Sequence, residues 1–528
     1  MITYNTFPTH GDYVDDVVAL ISKYEGHITK AKDIGDGVAT IGYGYTFSRN
    51  DNLSLWEKAG ISLTASEKAV LTKIDQASLS SKTSIALAEF SRVITINEAK
   101  NLLKQTYTAY ESPANSLSMP ESSEKAALVS ITYNRGVSAV NTKMTGFFDA
   151  VTDGDRAESW YQIRYNAQTT NPTFQSGIAN RRYSESEHFG LYKSHGIIPI
   201  ATKEEAHQTA EMYTAHRDSI LLYESLYKPS IAATSNAEPN IQDIYNELQP
   251  AIEYLKGEYG VASSFVIEEV QIVPETGSGF FSYNLNGDGT AYDGTNNDQD
   301  LLIGNSADNT LDGGAGNDAL VGNVGIDTLN GGTGNDILLG GEDSDTMTGG
   351  TGADTFIINT GEGVDTVTDT DDGDRVNYNG KIVAGKASKI ESGTYKLLGF
   401  ALSKQGSDLF ISSDGKESGI TLTGFFKNYD DSKNYTFAGI TIPGEKDDSG
   451  GGHDAGNLGI PSDYRQVSPI ALDLNGDGLK YIPYTYYGSA VHFDIDSDGF
   501  AEGLEWLGKN DVTNDNLVVE KPLIYATS

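Results

Sequence analysis

The chain has 528 residues, which is long enough for three or more domains. It contains no cysteine, so disulfide bonds cannot stabilise it, and 74 Asp+Glu against 37 Lys+Arg give a net charge of −37. Most of the excess lies behind residue 195, and a surface of this charge makes nucleic acid a poor partner. No apolar run is long enough to span a bilayer, and the N-terminus lacks the pattern of a cleaved signal peptide.

Residues 1–195 predict a globular, mostly helical domain with one short hairpin. Amphipathic runs at 96–110 and 122–134 predict helices, and GVATIGYGYTF at 37–47 alternates glycine with β-forming residues. Glu25 follows a helical run, and Thr40 stands fifteen residues later at the start of TIGYG. A helix, a short loop and a small sheet would place both residues over one cleft.

These motifs resemble the phage-type lysozymes of the endolysin class. The resemblance rests on Glu-Gly at a helix end, on TIGYG at the family's spacing, and on AALVSITYNRG and SGIANRRYSESEHF further along. It implies an α+β fold and hydrolysis of the β-1,4 bonds of peptidoglycan by an inverting mechanism. In that mechanism Glu25 is the general acid, Thr40 helps to hold the attacking water, and a second acid activates the water.

The second acid is where this chain departs from the family. An ungapped alignment places Ile34 where the family has its aspartate, with Asp33 and Asp36 on either side. A one-residue shift in the loop favours Asp33 as the base, and Asp36 is the alternative. If neither acid reaches the cleft, the domain would bind glycan without cleaving it. A chitin-like polymer is the alternative substrate.

Two helical runs, 203–227 and 240–260, predict a helical spacer over residues 196–275. The next region, residues 276–364, contains seven nine-residue units between Thr295 and Ile357. The unit at Gly304 has Asn309 at its sixth position, which predicts a weak or missing metal site. The other six units have aspartate there: Asp300, Asp318, Asp327, Asp336, Asp345 and Asp354.

The eighth position of every unit is apolar, so a single unit cannot bury its own face. The units are therefore predicted to stack into a parallel β-roll with these side chains inside: Leu302, Leu311, Leu320, Leu329, Leu338, Met347 and Phe356. Aspartate carboxylates and glycine-loop carbonyls would then form rows of oxygen ligands suited to Ca²⁺. No Lys or Arg occurs between Lys256 and Arg375, so bound cations would relieve the repulsion within the stack.

The units resemble the RTX family, whose repeat is GGxGxDxUx. The resemblance implies calcium-dependent folding, export by the type I secretion machinery, and an extracellular location. Residues 365–442 resemble the β-rich cap behind such arrays. Chelation of calcium is expected to expand residues 295–442 while much of the front domain stays folded.

Residues 443–461 are rich in Gly, Asp and Ser and predict a flexible linker. Residues 462–528 predict an EF-hand-like calcium module, similar to one found at the ends of large RTX proteins. Tyr484 stands where the first loop should have its bidentate glutamate, so that loop is expected to bind weakly. The ligands of the first loop are Asp473, Asn475 and Asp477, and those of the second are Asp494, Asp496, Asp498, Glu502 and Glu505.

The sequence therefore predicts a multidomain, secreted muramidase with an α+β lysozyme-like domain, helical spacer, β-roll, β-rich cap and calcium-binding tail. Its partners would be calcium and peptidoglycan or a related glycan, and the architecture suggests an antibacterial role. The alternative is a surface or matrix protein whose lysozyme-like domain binds glycan without catalysis. The end at Ser528 fits either a natural terminus or a truncated product.

Overall fold

The computed structural model falls into two units, Met1–Glu445 and Lys446–Ser528. No helix in the described part of the chain is both long and apolar enough to cross a bilayer. The described residues of the first unit are 2–167, 175–193, 199–232, 244–273, 281–282, 299–369, 373–413, 418–428, 430 and 433–444; in the second unit the backbone alone is described, over 471–473, 491–494, 502–506 and 524–526.

Residues 10–110 form a front lobe of five helices and a small antiparallel sheet. Thr9 caps the first helix, and its hydroxyl accepts the Asp12 N–H at 3.2 Å. Thr64 and Thr95 form capping boxes that start the third and fifth helices. The elements are α1 His10–Tyr24, β1 Ile28–Asp33, β2 Ala39–Gly42, β3 Tyr45–Thr46, α2 Asn52–Lys58, α3 Ala65–Gln76, α4 Leu79–Glu89 and α5 Ile96–Thr106, followed by a 3-10 turn at Tyr107–Tyr110.

Residues 112–192 form a rear lobe around one buried helix. That helix, α7, has two apolar faces: Ala126 and Val129 face the front lobe, while Leu128 and Ile131 face the rear lobe. Gly136 ends it with a φ of +82°, a conformation that favours glycine. The helices are α6 Ser112–Ser116, α7 Ser123–Arg135, α8 Val137–Lys143, α9 Thr145–Asp153, α10 Arg156–Tyr161 and α11 Gln175–Phe189, with a π-helical turn at Gln162–Asn166.

Two long helices follow, α12 Lys203–Ala232 and α13 Ile244–Glu258, where the sequence predicts the spacer. The last element of this region is a strand that belongs to the roll. That strand, β4 Glu269–Ile272, pairs in parallel with the first strand of the nonapeptide repeats.

The repeats form a parallel β-roll of two sheets, as the sequence predicts. Successive units alternate between the sheets, so paired strands are 18 residues apart, as in Ile337 opposite Ala319. The predicted inward side chains are all buried. The strands are β5 Phe281–Ser282, β6 Asp300–Ile303, β7 Asn309–Asp312, β8 Ala319–Val324, β9 Thr328–Thr333, β10 Ile337–Glu342, β11 Thr346–Thr351, β12 Thr355–Ile358, β13 Val364–Asp369 and β14 Arg375–Tyr378.

The last two of these strands extend the roll beyond Ile357, into the segment where the sequence predicts the cap. Val367 and Val376 continue its inner row, and both are buried. An antiparallel meander then closes the end of the core. Its strands are β17 Ser388–Glu391, β18 Thr394–Leu397, β19 Phe400–Gln405, β20 Asp408–Ser412 and β21 Gly419–Leu422. Of the other strands here, β15 Lys381–Ile382 pairs with β14, while β16 Gly385–Lys386, β22 Tyr435–Phe437 and β23 Ile440–Ile442 form a separate sheet.

The second unit contains a four-stranded sheet whose first pair is parallel. Its strands are β24 Ala471–Asp473, β25 Val491–Asp494, β26 Glu502–Trp506 and β27 Ile524–Ala526.

Candidate active site and calcium-binding roll

Glu25 lies at the end of α1, where the backbone turns from helical to extended. Its φ and ψ are −92° and 134°, and its N–H still donates to the carbonyl of Ile21 at 3.2 Å. The side chain is 27 % exposed, so one face of the carboxyl remains open to a ligand. The role of Glu25 as an acid at the edge of a cleft remains a prediction.

The partner of Glu25 is Arg181 on α11, a contact that the sequence analysis did not predict. Nη1 of Arg181 donates to Oε1 of Glu25 at 2.6 Å, and Nε donates to Oε1 of Glu185 at 2.9 Å. Burial acts to lower the pKa of Arg181, but the carboxylates of Glu185 and Glu25 raise it above its ordinary value. The rear lobe therefore holds the carboxyl of Glu25 in place.

Glu185 fixes Arg181 in turn, because it is fully buried and its own hydrogen bonds are satisfied. Its Oε1 accepts the Ser130 hydroxyl at 2.5 Å, and its Oε2 accepts Arg182. Arg182 also donates to Oδ1 of Asn134 at 2.6 Å, which ties α11 to the end of α7. The signal in the sequence for this contact was the pair of adjacent arginines in GIANRR. Arg181 contacts Glu25, and Arg182 packs within the rear lobe.

Of the two candidate bases, Asp33 is the last residue of β1 and Asp36 lies in the loop that leads to β2, and both are exposed. Oδ1 of Asp33 accepts the N–H groups of Gly35 and Gly37 at 2.8 and 3.1 Å. Oδ1 of Asp36 accepts the Val38 N–H at 3.1 Å. Each aspartate thus shapes the loop with one oxygen and leaves the other oxygen for a further contact.

Thr40 lies in the middle strand of the small sheet and is almost fully buried. Lys32 is its strand partner on β1, and Asp33 pairs with the neighbouring residue Ala39. The hydroxyl of Thr40 lies 3.5 Å from the carbonyl of Val38, at the long limit of a hydrogen bond. The hairpin therefore brings Asp33 to the strand position next to Thr40.

Tyrosines line the junction of the hairpin with α7. The Tyr133 hydroxyl donates to the carbonyl of Tyr43, and its ring packs against Tyr110 with centroids 4.6 Å apart. Gly44 is required here, because a Cβ at this position would overlap the Tyr133 hydroxyl. Tyr43 and Tyr45 are buried, so they belong mainly to the core of the front lobe.

In the roll, the sixth-position carboxylates form two ladders along its length. In the ladder of the first sheet, each aspartate N–H donates to Oδ1 of the residue 18 positions later: Asp300 to Asp318, Asp318 to Asp336 and Asp336 to Asp354, each at 2.8 Å. The ladder of the second sheet runs from Asn309 through Asp327 to Asp345, at 2.6 and 2.8 Å. All seven residues are buried.

The second carboxylate oxygen of these residues marks the cation sites. Oδ2 of Asp327, Asp336 and Asp345 is buried without a hydrogen-bond donor in the described structure. Burial, with neighbouring aspartates adding to it, raises the pKa of Asp327 and Asp336 to about 7 and that of Asp345 to about 6. A cation facing these oxygens would offset the cost of burying the carboxylates.

The glycines of the turns complete a cradle of oxygens. A Cβ on Gly331 would lie 2.5 Å from Oδ2 of Asp336 and 2.6 Å from the carbonyl of Gly349, and Gly313 has the same relation to Asp318 and Gly331. Carboxylate and carbonyl oxygens thus converge beside one glycine per turn, an arrangement of hard donors that fits Ca²⁺. Among the described residues, no three His, Asp or Glu side chains cluster together.

Both ladders continue past the predicted units. The Asp345 N–H donates to Oδ1 of Asp365 at 3.0 Å, and the Asp354 N–H donates to Oδ1 of Asp374 at 3.1 Å. Burial raises the pKa of Asp365 to about 8. Here the spacing is 20 residues, so a search in strict nine-residue register misses these two aspartates. The available signal was the buried valine two residues after each of them.

Asn309 replaces the carboxylate with an internally satisfied amide. Its Nδ2 donates to Oδ1 of Asn305 at 3.0 Å, and its Oδ1 accepts the Asn305 N–H at 2.7 Å. A neutral side chain with its own partners offers little to a cation, which agrees with the predicted weak or missing site.

The EF-hand-like tail remains a prediction. Asn475, Asp477, Asp496 and Asp498 lie outside the described residues. The other predicted ligands lie in strands, where Asp473 is opposite Asp494 on the parallel pair β24 and β25, and Glu502 and Glu505 belong to β26.

Comparisons with known proteins find matches for both the front domain and the nonapeptide repeats. The phage lysozyme family model matches residues 22–185, and the RTX calcium-binding nonapeptide repeat model, of four copies, matches residues 294–329 and 321–356. No curated protein matches the chain.

Two solved structures are similar to parts of the chain. The muramidase domain of SpmX from Asticaccaulis excentricus is 20 % identical, with 35 % of this chain and 98 % of that chain covered and a TM-score of 0.23. The AlgE6R3 subunit of the Azotobacter vinelandii mannuronan C5-epimerase is 24 % identical, with 33 % and 91 % covered and a TM-score of 0.12. The chain therefore carries a phage lysozyme domain, followed by RTX nonapeptide repeats that bind calcium.

Proposed function

We propose that the protein is a secreted muramidase that hydrolyses the β-1,4 glycosidic bonds of peptidoglycan outside the cell. The observation that carries this proposal is the half-open carboxyl of Glu25, held by Arg181 where the front and rear lobes meet. The phage lysozyme match over residues 22–185 supports a glycoside hydrolase. The RTX repeats, typical of secreted proteins, support export through a type I system and an antibacterial role.

The reaction requires a proton for the leaving oxygen and a hydroxide equivalent for the anomeric carbon. Glu25 donates the proton to the glycosidic oxygen as the C–O bond breaks. A loop aspartate accepts a proton from water as the water oxygen bonds to the anomeric carbon. Inversion requires about 6.5–9.5 Å between the two carboxyls. Glu25 therefore acts in its protonated form.

The loop offers two candidates for the base. Asp33 is held by two backbone amides and lies beside the strand that carries Thr40, whereas Asp36 lies nearer to the tip of the loop. The exposed Ile34 between them cannot accept a proton. We therefore assign the base to Asp33. Asp36 is the alternative, and substitution of each aspartate distinguishes the two.

The test is the clearance of purified peptidoglycan by the full-length protein in calcium. Glu25→Gln is expected to lower the rate by about 100-fold or more, because general acid catalysis contributes that much. Glu67→Gln is the matched control, since Glu67 is 21 % exposed and is paired with Arg92 at 3.0 Å in the same lobe. Undiminished clearance by a folded Glu25→Gln protein would discard Glu25 as the general acid, whereas no clearance by the wild-type protein would leave the glycan-binding alternative.

The same assay separates the two loop acids. Asp33→Asn is expected to abolish clearance, while Asp36→Asn is expected to retain most of it. The reverse pattern would assign the base to Asp36. Soluble chitin oligosaccharides, tested in parallel, identify the polymer.

A further inference from the structure

A second charged group, Arg49, follows the hairpin of the front lobe, and one nitrogen of its guanidinium, Nε, is buried without an acceptor in the described structure. The backbone there is well fixed, because the Arg49 carbonyl accepts Nδ2 of Asn52 at 2.8 Å and the Tyr45 hydroxyl donates to Oδ1 of Asn52 at 2.7 Å. The guanidinium lies 5.8 Å from the centre of the Tyr45 ring. Within the described residues, this partly buried cation faces an aromatic ring and has no ion pair.

The charges of Arg49 and Glu25 both influence the pKa of Tyr110 and Tyr133. Burial is the main cause of the raised pKa of Tyr110 and of Tyr133; in both, Glu25 adds to the rise and Arg49 opposes it. The rings of these tyrosines pack together at the junction of the hairpin and α7. Contacts connect Arg49 with Glu25: Arg49 faces the ring of Tyr45, and Gly44 beside it lies against the Tyr133 hydroxyl. One turn earlier on α7, the carbonyl of Ser130 accepts Nη2 of Arg181 at 3.0 Å, and Arg181 holds Glu25.

Other arginines of the domain have a structural reason for their charge. Arg92 pairs with Glu67 and Glu98, and Arg181 with Glu25 and Glu185. Nη1 of Arg135 also lacks an acceptor in the described structure, but Arg135 is the last residue of α7, where the helix dipole favours a cation. Arg49 precedes a helix instead, so the dipole does not explain its charge.

We infer that Arg49 binds a carboxylate substituent of the glycan, next to the bond that Glu25 protonates. The inference rests on the proposed function and specifies its substrate class. A guanidinium offers a planar pair of donors that matches a carboxylate. Peptidoglycan carries carboxylates on the lactyl ether of alternate sugars and on the attached peptides, whereas chitin carries none. Arg49 would therefore make the enzyme select an anionic glycan over a neutral one.

The test uses the full-length protein in calcium and peptidoglycan glycan strands freed of peptide, which keep only the sugar carboxylate. Arg49→Gln is expected to raise KM by about 10–100-fold, the value of one charge-assisted hydrogen bond, with kcat little changed. Methyl esterification of the strands is expected to raise KM of the wild-type protein equally, and that of Arg49→Gln no further. Arg49→Lys is expected to recover part of the loss. Arg92→Gln, an arginine already paired with two glutamates, is the matched control.

Strands that retain their peptides distinguish the two sources of carboxylate. A KM effect confined to these strands assigns the contact to the peptide, and an effect on peptide-free strands assigns it to the sugar. An unchanged KM for Arg49→Gln on both kinds of strand would overturn the inference. Failure of the proposed function is separate, since the wild-type protein would then cleave neither kind of strand; full cleavage by Glu25→Gln would discard only the assignment of the general acid.

Discussion

The two lobes of the lysozyme-like domain differ in whether their hydrophobic cores extend into the roll. The front lobe closes on itself, with Trp56 at its centre and no residue of the roll in its cluster. The rear lobe does not close. Its cluster runs from Trp160 through α12 and α13 to Leu301 and Val321 on the outer face of the roll. Two halves of one domain are therefore expected to depend on calcium to different degrees, because the rear half shares its core with a metal-binding roll.

Polar contacts join the same elements. Arg217 on α12 donates to both carboxylate oxygens of the buried Glu269 on β4, at 2.7 and 3.0 Å, and the Ile272 N–H donates to Thr214 at 2.9 Å. Arg164 of the rear lobe lies 3.3 Å from Glu247 on α13. Since α11 carries Arg181, loss of the roll is expected to loosen the group that positions Glu25.

Calcium removal should have the largest effect. We expect chelation to unfold the roll, to loosen the rear lobe and to lower peptidoglycan clearance, while the front lobe keeps its fold. The chain has three tryptophans, of which Trp56 and Trp160 lie in different lobes. Proteins that retain only one of these two can be followed by fluorescence. Trp160 emission is expected to shift to longer wavelength on chelation, and Trp56 emission is expected to stay constant.

The sequence predicts that much of residues 1–195 stays folded when calcium is removed. This outcome would narrow that prediction to the front lobe. Restored calcium should reverse the Trp160 shift. Equal responses from the two tryptophans, or a response from neither, would show that the cores are not coupled in this way.

Core substitutions in the roll should separate its two faces. Leu301 packs outward against the helices and Leu329 packs inward, and both are fully buried. Truncation of either to alanine is expected to cost about 2–5 kcal/mol. Leu301→Ala should lower the urea midpoint seen by Trp160 more than Leu329→Ala does, because it removes contacts with the rear-lobe core. A larger effect from Leu329→Ala would contradict the shared core.

The smallest expected effect is a pH dependence of spacer docking. Burial raises the pKa of Glu247 from 4.5 to about 8, with Arg164 opposing the rise and Glu187 adding to it. The folded protein therefore retains a proton that the unfolded chain releases above about pH 4.5. The contribution of Glu247 to the free energy of unfolding should be greatest below that pH and be lost as the pH rises towards 8.

Glu247→Gln keeps a neutral side chain at every pH and should remove this slope. The measurement is urea unfolding at pH 5, 6.5 and 8 in saturating calcium, followed by Trp160. Glu57→Gln, which removes an exposed partner of Lys68, should leave the slope unchanged. A Glu247→Gln slope equal to that of the wild type would refute the assignment.

Much of the roll was predictable because its rule is local. Period nine, a sixth-position aspartate and an apolar eighth position are enough to give the stack and its inner row. Strands β13 and β14 were not predicted as part of the roll, because two inserted residues after Ile357 break the nine-residue spacing. Asp365 and Asp374 therefore lie 20 residues, and not 18, after their ladder partners. In the front lobe, Glu25 and Thr40 could be selected from their motif, but the Arg181 contact spans 156 residues and no local pattern predicts it.

The sequence also held an unused signal about the roll. Ninth positions are apolar in alternate units, as with Ile303 and Val321, and polar in the others, as with Asp312 and Asn330. This 18-residue period predicts that one sheet is covered and the other faces solvent. The helices that cover it, however, come from a separate region of the chain.

The sequence alone therefore determined the lysozyme motifs, the calcium-binding repeats and the inward face of the roll, because each follows from spacing along the chain. The tertiary structure decided what holds Glu25, where the ladders end, and that the rear lobe, the spacer and the roll share one core. Those features depend on side chains from distant segments meeting in space, and such contacts leave no period in the sequence.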